Sequence, residues 1–349
     1  MSLTVLSVAY SLATVGTSTV GGAEQVLAAL DLALCREGQR SIVVACADSA
    51  VHGELVATPC VGASNFDAVT RARALEAHRH AIADALARWP VDVVHMHGMD
   101  FYEYLPPPGV PVLVTLHLPP SWYTEGVLRS TRPGTYFHCV SCAQRRSCPA
   151  DAPLLPTIEN GVPLGAAPRV RAARPYVIAL GRICPEKGYH HALDAARHAG
   201  VPMLLAGYTY PFETHRRYFD EQIVPRLDAH RRFVGPARFH RKRQLLAGAR
   251  CLLVPSLAPE TSSLVAMEAL ACGTPVVAFS AGALPEIVEH GVTGFLVRDV
   301  REMADAIAAV GDLDPAACRH AAETRFSADV MTRRYLERYR ALAGGAAVT

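Results

Sequence analysis

Two glutamates that could bind a polar ligand stand eight positions apart in the segment "APETSSLVAMEALACGTPVV", which covers residues 258–277. Glu268 lies inside an apolar run, and Glu260 comes just before it. An isolated carboxylate in apolar surroundings is costly, or becomes protonated, unless a partner binds it. These two acids therefore predict either a bound ligand or, as the alternative, a structural pair with a buried arginine.

The spacing of the two acids narrows the choice of ligand. If residues 260–268 were helical throughout, the carboxylates would be about 12 Å apart along the helix axis. That separation suits the two ends of a long ligand better than a catalytic carboxylate dyad. Thr261, Ser262 and Ser263 are good helix N-caps, so the helix is predicted to begin there.

Two basic residues follow another predicted strand in the segment "GRICPEKGY", residues 181–189. Arg182 and Lys187 bracket a turn, and both could reach an anionic ligand, the arginine through a fork and the lysine as a point charge. The alternative is two solvated charges.

A glycine pair follows the first predicted strand in "VGTSTVGGAEQ", residues 15–25. The backbone of Gly21 and Gly22, with the helix N-terminus behind them, could approach a phosphate, although an ordinary tight turn is the alternative. Histidines also fall at strand ends, which points to a cleft in the first half of the chain: His95, His97 and His117.

The elements that must position these residues alternate between short apolar strands and helical patterns. Such continuous apolar strands are typical of parallel sheets covered on both faces. In such folds ligands bind beyond the carboxyl ends of the strands. The predicted strands are 3–10, 41–47, 91–97, 111–118, 136–141, 176–181, 202–207, 251–256 and 275–280.

A segment rich in Pro, Gly and Ala, residues 160–175, interrupts this alternation and is the predicted linker. The fold class is therefore α/β, with two doubly wound Rossmann-like domains. We expect an N-terminal domain over 1–163, a C-terminal domain over 164–325 and a last helix over 326–349.

Composition excludes several classes of protein. With 349 residues, 50% hydrophobic and 19% charged, the chain can bury a sizeable core, and a net charge of +2 does not indicate a nucleic-acid binder. Ten scattered cysteines and a start without a basic leader favour a cytoplasmic protein. The run 138–148 contains one histidine and three cysteines but matches no standard zinc spacing, so no metal site is predicted. The basic run 230–243 is interpreted as a solvated face, with peripheral membrane contact as the alternative.

Taken together, these segments resemble the retaining, nucleotide-sugar-dependent glycosyltransferases of family 4, which have the GT-B fold with a cleft between two domains. The resemblance covers most of the chain in the right order. Its motifs are "GGAE", "VVHMH", "VTLHL", "NGV", "GRICPEKG", the E-x7-E pair at Glu260 and Glu268, and "GALPEIVEHGVTGFLV". The chain departs from the family at Ser262-Ser263, where Phe-Gly is common, and at Ala283, where glycine is usual.

The resemblance implies that the N-terminal domain binds the acceptor, that the C-terminal domain binds the nucleotide sugar, and that the last helix packs back on the N-terminal domain. It also implies a role for each motif residue. Glu268 would hold the ribose hydroxyls, Glu260 the sugar hydroxyls, and His117 would lie beside the donor sugar near the reacting carbon. His117, Arg182, Lys187 and Glu260 are thus the implied catalytic residues. The implied donor-binding residues are Gly21, Gly22, Gly181, Arg182, Lys187, Glu260, Ser262, Ser263, Leu264 and Glu268.

The function that the resemblance implies is transfer of a hexose-type sugar, with retention, from a nucleotide diphosphate sugar to a hydroxyl acceptor. A UDP-sugar is favoured as donor, and the acceptor is a glycan, a lipid-linked glycan or a small natural product. Arg182, Lys187 and a helix N-terminus would neutralise the diphosphate, so no cofactor and no metal are expected. The alternatives are a nucleotide-sugar-binding regulatory protein and an NDP-sugar epimerase on the same scaffold.

Overall fold

The computed structural model describes residues 2–16, 19, 21–60, 67–129, 132–165 and 176–345. The chain divides into two compact units. The first unit comprises Met1–Asn160 and Ala328–Thr349, and the second comprises Gly161–Ser327. Most of the predicted linker, residues 166–175, lies outside the described residues, as do 17, 18 and 20 in the glycine loop.

The first unit has a six-stranded parallel sheet in the order β3-β2-β1-β4-β5-β6. The strands are β1 Thr4–Val8, β2 Arg40–Cys46, β3 Glu54–Thr58, β4 Val93–Met96, β5 Val112–Leu116 and β6 Thr135–Cys139. The helices are α1 Gly22–Arg36, α2 Ala68–Arg88, α3 Cys142–Arg146 and the last helix of the chain, Ala328–Ala343.

The second unit has another six-stranded parallel sheet. Its strands are β7 Tyr176–Arg182, β8 Met203–Tyr208, β9 Arg231–Phe233, β10 Ala249–Val254, β11 Val276–Phe279 and β12 Gly294–Val297. Its helices are α4 Tyr189–His198, α5 Glu213–Tyr218, α6 Phe239–Gly248, α7 Leu264–Ala271, α8 Leu284–Ile287, α9 Val300–Ala309 and α10 Pro315–Arg325, so the last helix of the chain is α11. The strand order is β12-β11-β10-β7-β8-β9.

Both sheets have the strand order of a Rossmann fold, 3-2-1-4-5-6 when the strands of each unit are numbered from its own first strand. The predicted doubly wound α/β architecture is therefore confirmed. The order reverses between β1 and β4 in the first unit and between β7 and β10 in the second. Ligands of such folds bind at this reversal, beyond the carboxyl ends of the strands.

Three strands were not predicted: β3, β9 and β12. Each lies at the edge of its sheet, is three to five residues long, and is only partly buried. An edge strand can carry polar residues such as Arg231 and Arg232, so it lacks the continuous apolar run of a central strand. Among the described residues, no helix is long and apolar enough to cross a membrane.

Helix α11 completes the core of the first unit, although most of the chain separates it from that unit's sheet. Tyr335 and Tyr339 are fully buried. The Tyr339 hydroxyl shares a hydrogen bond of 2.6 Å with His95 Nδ1, and His95 Nε2 shares one of 2.7 Å with Thr115 Oγ1. Thr115 in turn contacts His138 Nε2 at 2.7 Å and the Tyr335 hydroxyl at 3.2 Å. The helix therefore docks onto strands β4, β5 and β6 through polar groups.

Burial keeps the histidines of this region neutral. It lowers the pKa of His117 to about 4 and that of His138 to about 3. The pKa values of His95 and His97 lie well below the ordinary range, first because of burial and then because neighbouring histidines repel a second positive charge. The folded unit therefore resists protonation at a pH where an unfolded chain would accept it.

We expect mild acid to destabilise the first unit. Unfolded histidine titrates near pH ~6.5, so below that pH the unfolded state binds more protons than the folded state and the free energy of unfolding falls. Each buried histidine contributes up to ~1.4 kcal/mol per pH unit, from about pH 6.5 down to its folded pKa. Urea unfolding followed by the fluorescence of Trp89 and Trp122 measures this, because both tryptophans of the chain lie in the first unit.

The variant His138→Gln provides the control, since glutamine cannot take up the proton. Between pH 6.5 and pH 4 the slope of its unfolding free energy against pH is expected to be smaller than the wild-type slope by up to ~1.4 kcal/mol per unit. An unchanged slope would contradict the lowered pKa of His138 in the folded state.

Candidate functional site

The predicted site residues of the second unit lie at the end of β7, in the loops that follow β7 and β10, and on helix α7. The strand order reverses between β7 and β10. Parallel neighbours at this reversal send their connections to opposite faces of the sheet, which leaves a crevice between the two loops. Arg182 ends β7, and Lys187 ends a single 3-10 turn, Pro185–Lys187, just beyond it. Glu260 lies in the loop between β10 and α7.

Glycines allow these two loops to approach each other. Gly188 has a φ of +61°, and a Cβ there would lie 2.3 Å from the carbonyl oxygen of Pro255. A Cβ on Gly181 would lie 2.4 Å from the Tyr189 hydroxyl. The backbone N–H of Leu257 donates to the Glu186 carbonyl at 2.8 Å, so the loops are also joined by a hydrogen bond. The first turn after β7 is thereby fixed against the loop that carries Glu260.

An ion pair links the two loops at their centre. Lys187 Nζ lies 2.6 Å from Glu260 Oε1, and the Ser256 hydroxyl donates to the same oxygen. The side chains of Lys187 and Glu260 are 26% and 10% exposed, so the pair is largely shielded from water. Because the pair is already largely removed from water, a polar ligand that reaches its exposed part has little water to displace.

The loop between β11 and α8 holds the backbone of Glu260. Gly282, at φ +59°, packs so closely that a Cβ would lie 2.2 Å from the Glu260 carbonyl oxygen. The N–H of Ala283 donates to that same oxygen at 2.7 Å. Ala283 stands where the family usually has glycine. Its backbone N–H nevertheless donates the hydrogen bond that holds the Glu260 carbonyl.

The helix after Glu260 begins where the sequence predicts, directly after Ser263. Helix α7 begins at Leu264, so residues 260–268 are not helical throughout. Ser263 is the N-cap residue, but its hydroxyl makes no capping hydrogen bond within the described chain. The Ser262 hydroxyl is buried and has no hydrogen-bond partner among the described residues. Ser263 therefore occupies the predicted N-cap position without a capping bond from its hydroxyl, and Ser262 is left with an unused polar group.

Glu268, only 8% exposed, is paired with Lys242 of helix α6. Burial raises the pKa of Glu268, and the nearby Lys242 opposes that rise. The arginine partner considered from sequence is thus a lysine, and it comes from the basic run 230–243. The interpretation of that run as a wholly solvated face is wrong at Lys242, whose side chain is 12% exposed.

Three of the predicted site residues, Gly21, Gly22 and His117, belong to the first unit. Gly21 is the N-cap residue of α1 and Gly22 is its first residue. The carboxylate of Glu24 folds back against them, because a Cβ on Gly21 would lie 1.7 Å from Glu24 Oε2. A carboxyl group, whose pKa burial raises, therefore already occupies the helix N-terminus predicted for a phosphate. His117, which follows β5, has its Nε2 3.1 Å from His97 Nδ1.

Comparison with known proteins identifies the kind of domain that carries this site. Residues 174–312 match the family model described as Glycosyl transferases group 1. Over 152 residues the chain is 39% identical to a D-inositol 3-phosphate glycosyltransferase of Mycolicibacterium smegmatis, a match that covers 41% of this chain and 34% of that protein. The chain spans less than half the length of the curated relatives it matches, 21%, 34% and 39% for the first three.

Several solved structures match almost the whole chain, among them the following two. AviGT4, a glycosyltransferase involved in avilamycin A biosynthesis, is 27% identical with a TM-score of 0.74, and the match covers 99% of both chains. Anabaena Alr3699/HepE, solved in complex with UDP and glucose, is 21% identical with a TM-score of 0.75 and covers 97% of this chain and 99% of that one. The chain therefore has the GT-B fold, and its residues 174–312 are similar to a glycosyl transferases group 1 domain.

We expect Lys242→Met to destabilise the second unit by about 3 kcal/mol, because it leaves Glu268 buried without its cation. Hydrogen exchange of the α7 amides, Leu264–Ala271, measures the loss locally. The exposed neighbour Arg241 offers a matched control, and Arg241→Met is expected to change little. The double variant Lys242→Met/Glu268→Gln should recover most of the stability. Equal protection in Lys242→Met and Arg241→Met would refute a structural role for the pair.

Proposed function

We propose that this chain, with its group 1 domain on a GT-B fold, is a retaining glycosyltransferase that moves a hexose-type sugar from a UDP-sugar to a hydroxyl acceptor. The observation that carries the proposal is the grouping of Arg182, Lys187 and Glu260 on two loops at the strand reversal, with Glu268 on the helix that follows. Cations and buried carboxylates combined in this way suit a ligand that has a diphosphate and several hydroxyls.

Arg182 and Lys187 would stabilise the departing diphosphate. Breaking the sugar–phosphate bond develops negative charge on the phosphate oxygens, and fixed cations aimed at that charge lower the barrier. An ammonium group has three donors, so Lys187 can keep its bond to Glu260 and still donate to a phosphate oxygen. The hydrogen bonds that fix the turn Pro185–Lys187 would hold this charge in place before the donor arrives.

Glu260 and Glu268 would bind hydroxyls at the two ends of the donor. A carboxylate accepts several hydrogen bonds, which leaves capacity for hydroxyl donors beside each lysine. We assign Glu268 to the ribose and Glu260 to the sugar, and we assign the other donor contacts to Gly181, Ser262, Ser263 and Leu264. The UDP and glucose in the HepE structure support UDP as the donor nucleotide.

Retention would follow from the leaving group acting as the base. The acceptor oxygen attacks the anomeric carbon on the face from which the diphosphate departs, and a phosphate oxygen takes the acceptor's proton. The bond to the phosphate breaks with its electron pair, so charge and atoms balance without a protein nucleophile. We assign the acceptor, and a role for His117, Gly21 and Gly22 near the reacting groups, to the first unit on the basis of the family resemblance alone.

Detection of the product tests the proposal against its rivals. The full chain is incubated with UDP-sugars and pools of hydroxyl acceptors, and masses increased by one hexose are sought. An isomerised nucleotide sugar without transfer would indicate an epimerase. Binding without either product, even after long incubation, would indicate a regulatory protein.

Loss of either end of the donor site is expected to impair turnover. Glu268→Gln and Arg182→Ala should each lower kcat/KM by at least ~10², since each removes a group that stabilises the bound donor or the transition state. The exposed residues Glu289 and Arg301 provide matched controls, and Glu289→Gln and Arg301→Ala should retain wild-type rates. Near-wild-type kcat/KM in either site variant would refute the assignment.

We expect transfer to persist in EDTA, because Arg182 and Lys187 would supply the positive charge that a divalent ion supplies in metal-dependent enzymes. The measurement is the initial rate of transfer before and after chelation. A loss that added Mg²⁺ or Mn²⁺ restores would contradict the proposed role of the two cations.

A further inference from the structure

A second cluster of chemically reactive side chains lies behind the turn that carries Lys187. It consists of Cys184, Glu186 and His215, whose thiol sulfur, one carboxylate oxygen and one ring nitrogen all lie within 4.8 Å of one another. Cys184 and Glu186 flank Pro185 in the loop after β7, and His215 lies in the first turn of α5. None of the three is among the residues assigned to the donor.

Two polar atoms of this cluster are buried without a hydrogen-bond partner among the described residues. They are Glu186 Oε2 and His215 Nδ1. His215 is only 8% exposed, and Cys184 is fully buried. Buried polar atoms are nearly always satisfied, so two orphans in one cluster require an explanation such as a bound ion.

We propose that Cys184, Glu186 and His215 bind one Zn²⁺ ion. Thiolate sulfur, imidazole nitrogen and carboxylate oxygen are the three ligand types that zinc takes in proteins, and three protein ligands leave a fourth position for water. The ligand atoms converge from two elements that are already packed together, so small side-chain rotations would bring them to bonding distance. On binding, the Cys184 thiol releases its proton to solvent, and no group is oxidised or reduced.

The charges around the cluster are compatible with a divalent cation. A thiolate and a carboxylate together balance the two charges of zinc. Burial lowers the pKa of His215, and Arg182 lowers it further, so the imidazole is neutral and keeps a lone pair for the metal. Burial raises the pKa of Cys184 to about 11, Arg182 opposes that rise, and a hydrogen bond with the Glu186 carboxylate adds to it. The thiol also contacts the Arg182 carbonyl oxygen at 3.6 Å. Zinc would displace this proton, as it does at other cysteine ligands.

Aromatic side chains pack beside His215. Phe212 meets the His215 ring edge-on with centroids 5.2 Å apart, and Tyr210 does so at 6.3 Å. The His215 N–H donates to the Phe212 carbonyl at 3.1 Å, which fixes the start of α5. A metal held here would fasten α5 to the turn Pro185–Lys187. Its role would be structural, and none of its three ligands takes part in the proposed transfer reaction.

Zinc titration of the full chain tests the site. The protein is stripped with EDTA, exchanged into a reducing buffer without chelator, and titrated with Zn²⁺ by calorimetry. We expect one tight equivalent in the wild type, and Cys184→Ser and His215→Gln should each lower the affinity by at least ~100-fold, since even the loss of an outer partner costs 10–100-fold. The exposed residues Cys142 and His240 supply matched controls, and Cys142→Ser and His240→Gln should bind like the wild type.

Cobalt spectroscopy provides a readout that a folding defect cannot imitate. Co²⁺ at the site should give a thiolate-to-metal charge-transfer band that Cys142→Ser retains and Cys184→Ser loses, although circular dichroism shows both variants folded. With Zn²⁺, amide exchange should slow in residues 184–188 and 213–216. Absence of stoichiometric binding by the wild type, or equal binding by His215→Gln, would overturn the proposal. Neither result would bear on the transfer reaction.

Discussion

The need to compensate two carboxylates in a largely apolar environment governs the arrangement of the second unit. Glu260 and Glu268 each have a lysine partner, Lys187 and Lys242, from a different part of the chain. An uncompensated buried carboxylate would cost several kcal/mol or be protonated, so each pair constrains the elements that supply its members. The loop after β7 must meet the loop after β10, and α6 must lie beside α7. The geometry available to a ligand follows from these two constraints.

The strand reversal and the ion pairs reinforce each other. The Rossmann order brings the ends of β7 and β10 together, and Gly188 and Gly282 let the backbones approach closely enough for Lys187 to reach Glu260. Lys187 then sits on a turn that is fixed by backbone hydrogen bonds within it and to the loop after β10. A group that stabilises developing charge must be fixed before the reaction, because reorganisation would use up the benefit. Rigidity of this turn is therefore part of the chemistry that we propose.

Much of the fold and part of the site could be predicted from sequence. Central strands such as β4 and β7 could be predicted from their largely apolar sequences. The predicted end of β7 also gave the positions of Arg182 and Lys187. The edge strands β3, β9 and β12 could not be found this way, since one half-exposed edge tolerates polar residues. Lys242 was missed because a pairing between α6 and α7 depends on tertiary packing, which local spacing does not encode. The same reason hid His215, which lies far along the chain from Cys184 and meets it only through the packing of α5.

The position of α11 has a consequence for how the protein is made. The first unit is interrupted, since its sheet is complete by Cys139 but Tyr335 and Tyr339 come from the last helix. During synthesis the histidines of that sheet remain without their tyrosine partners until nearly all of the second unit has emerged from the ribosome. Domains usually fold in the order of synthesis. Here the second unit can close its core first, and the half that is made earliest is the last to be finished.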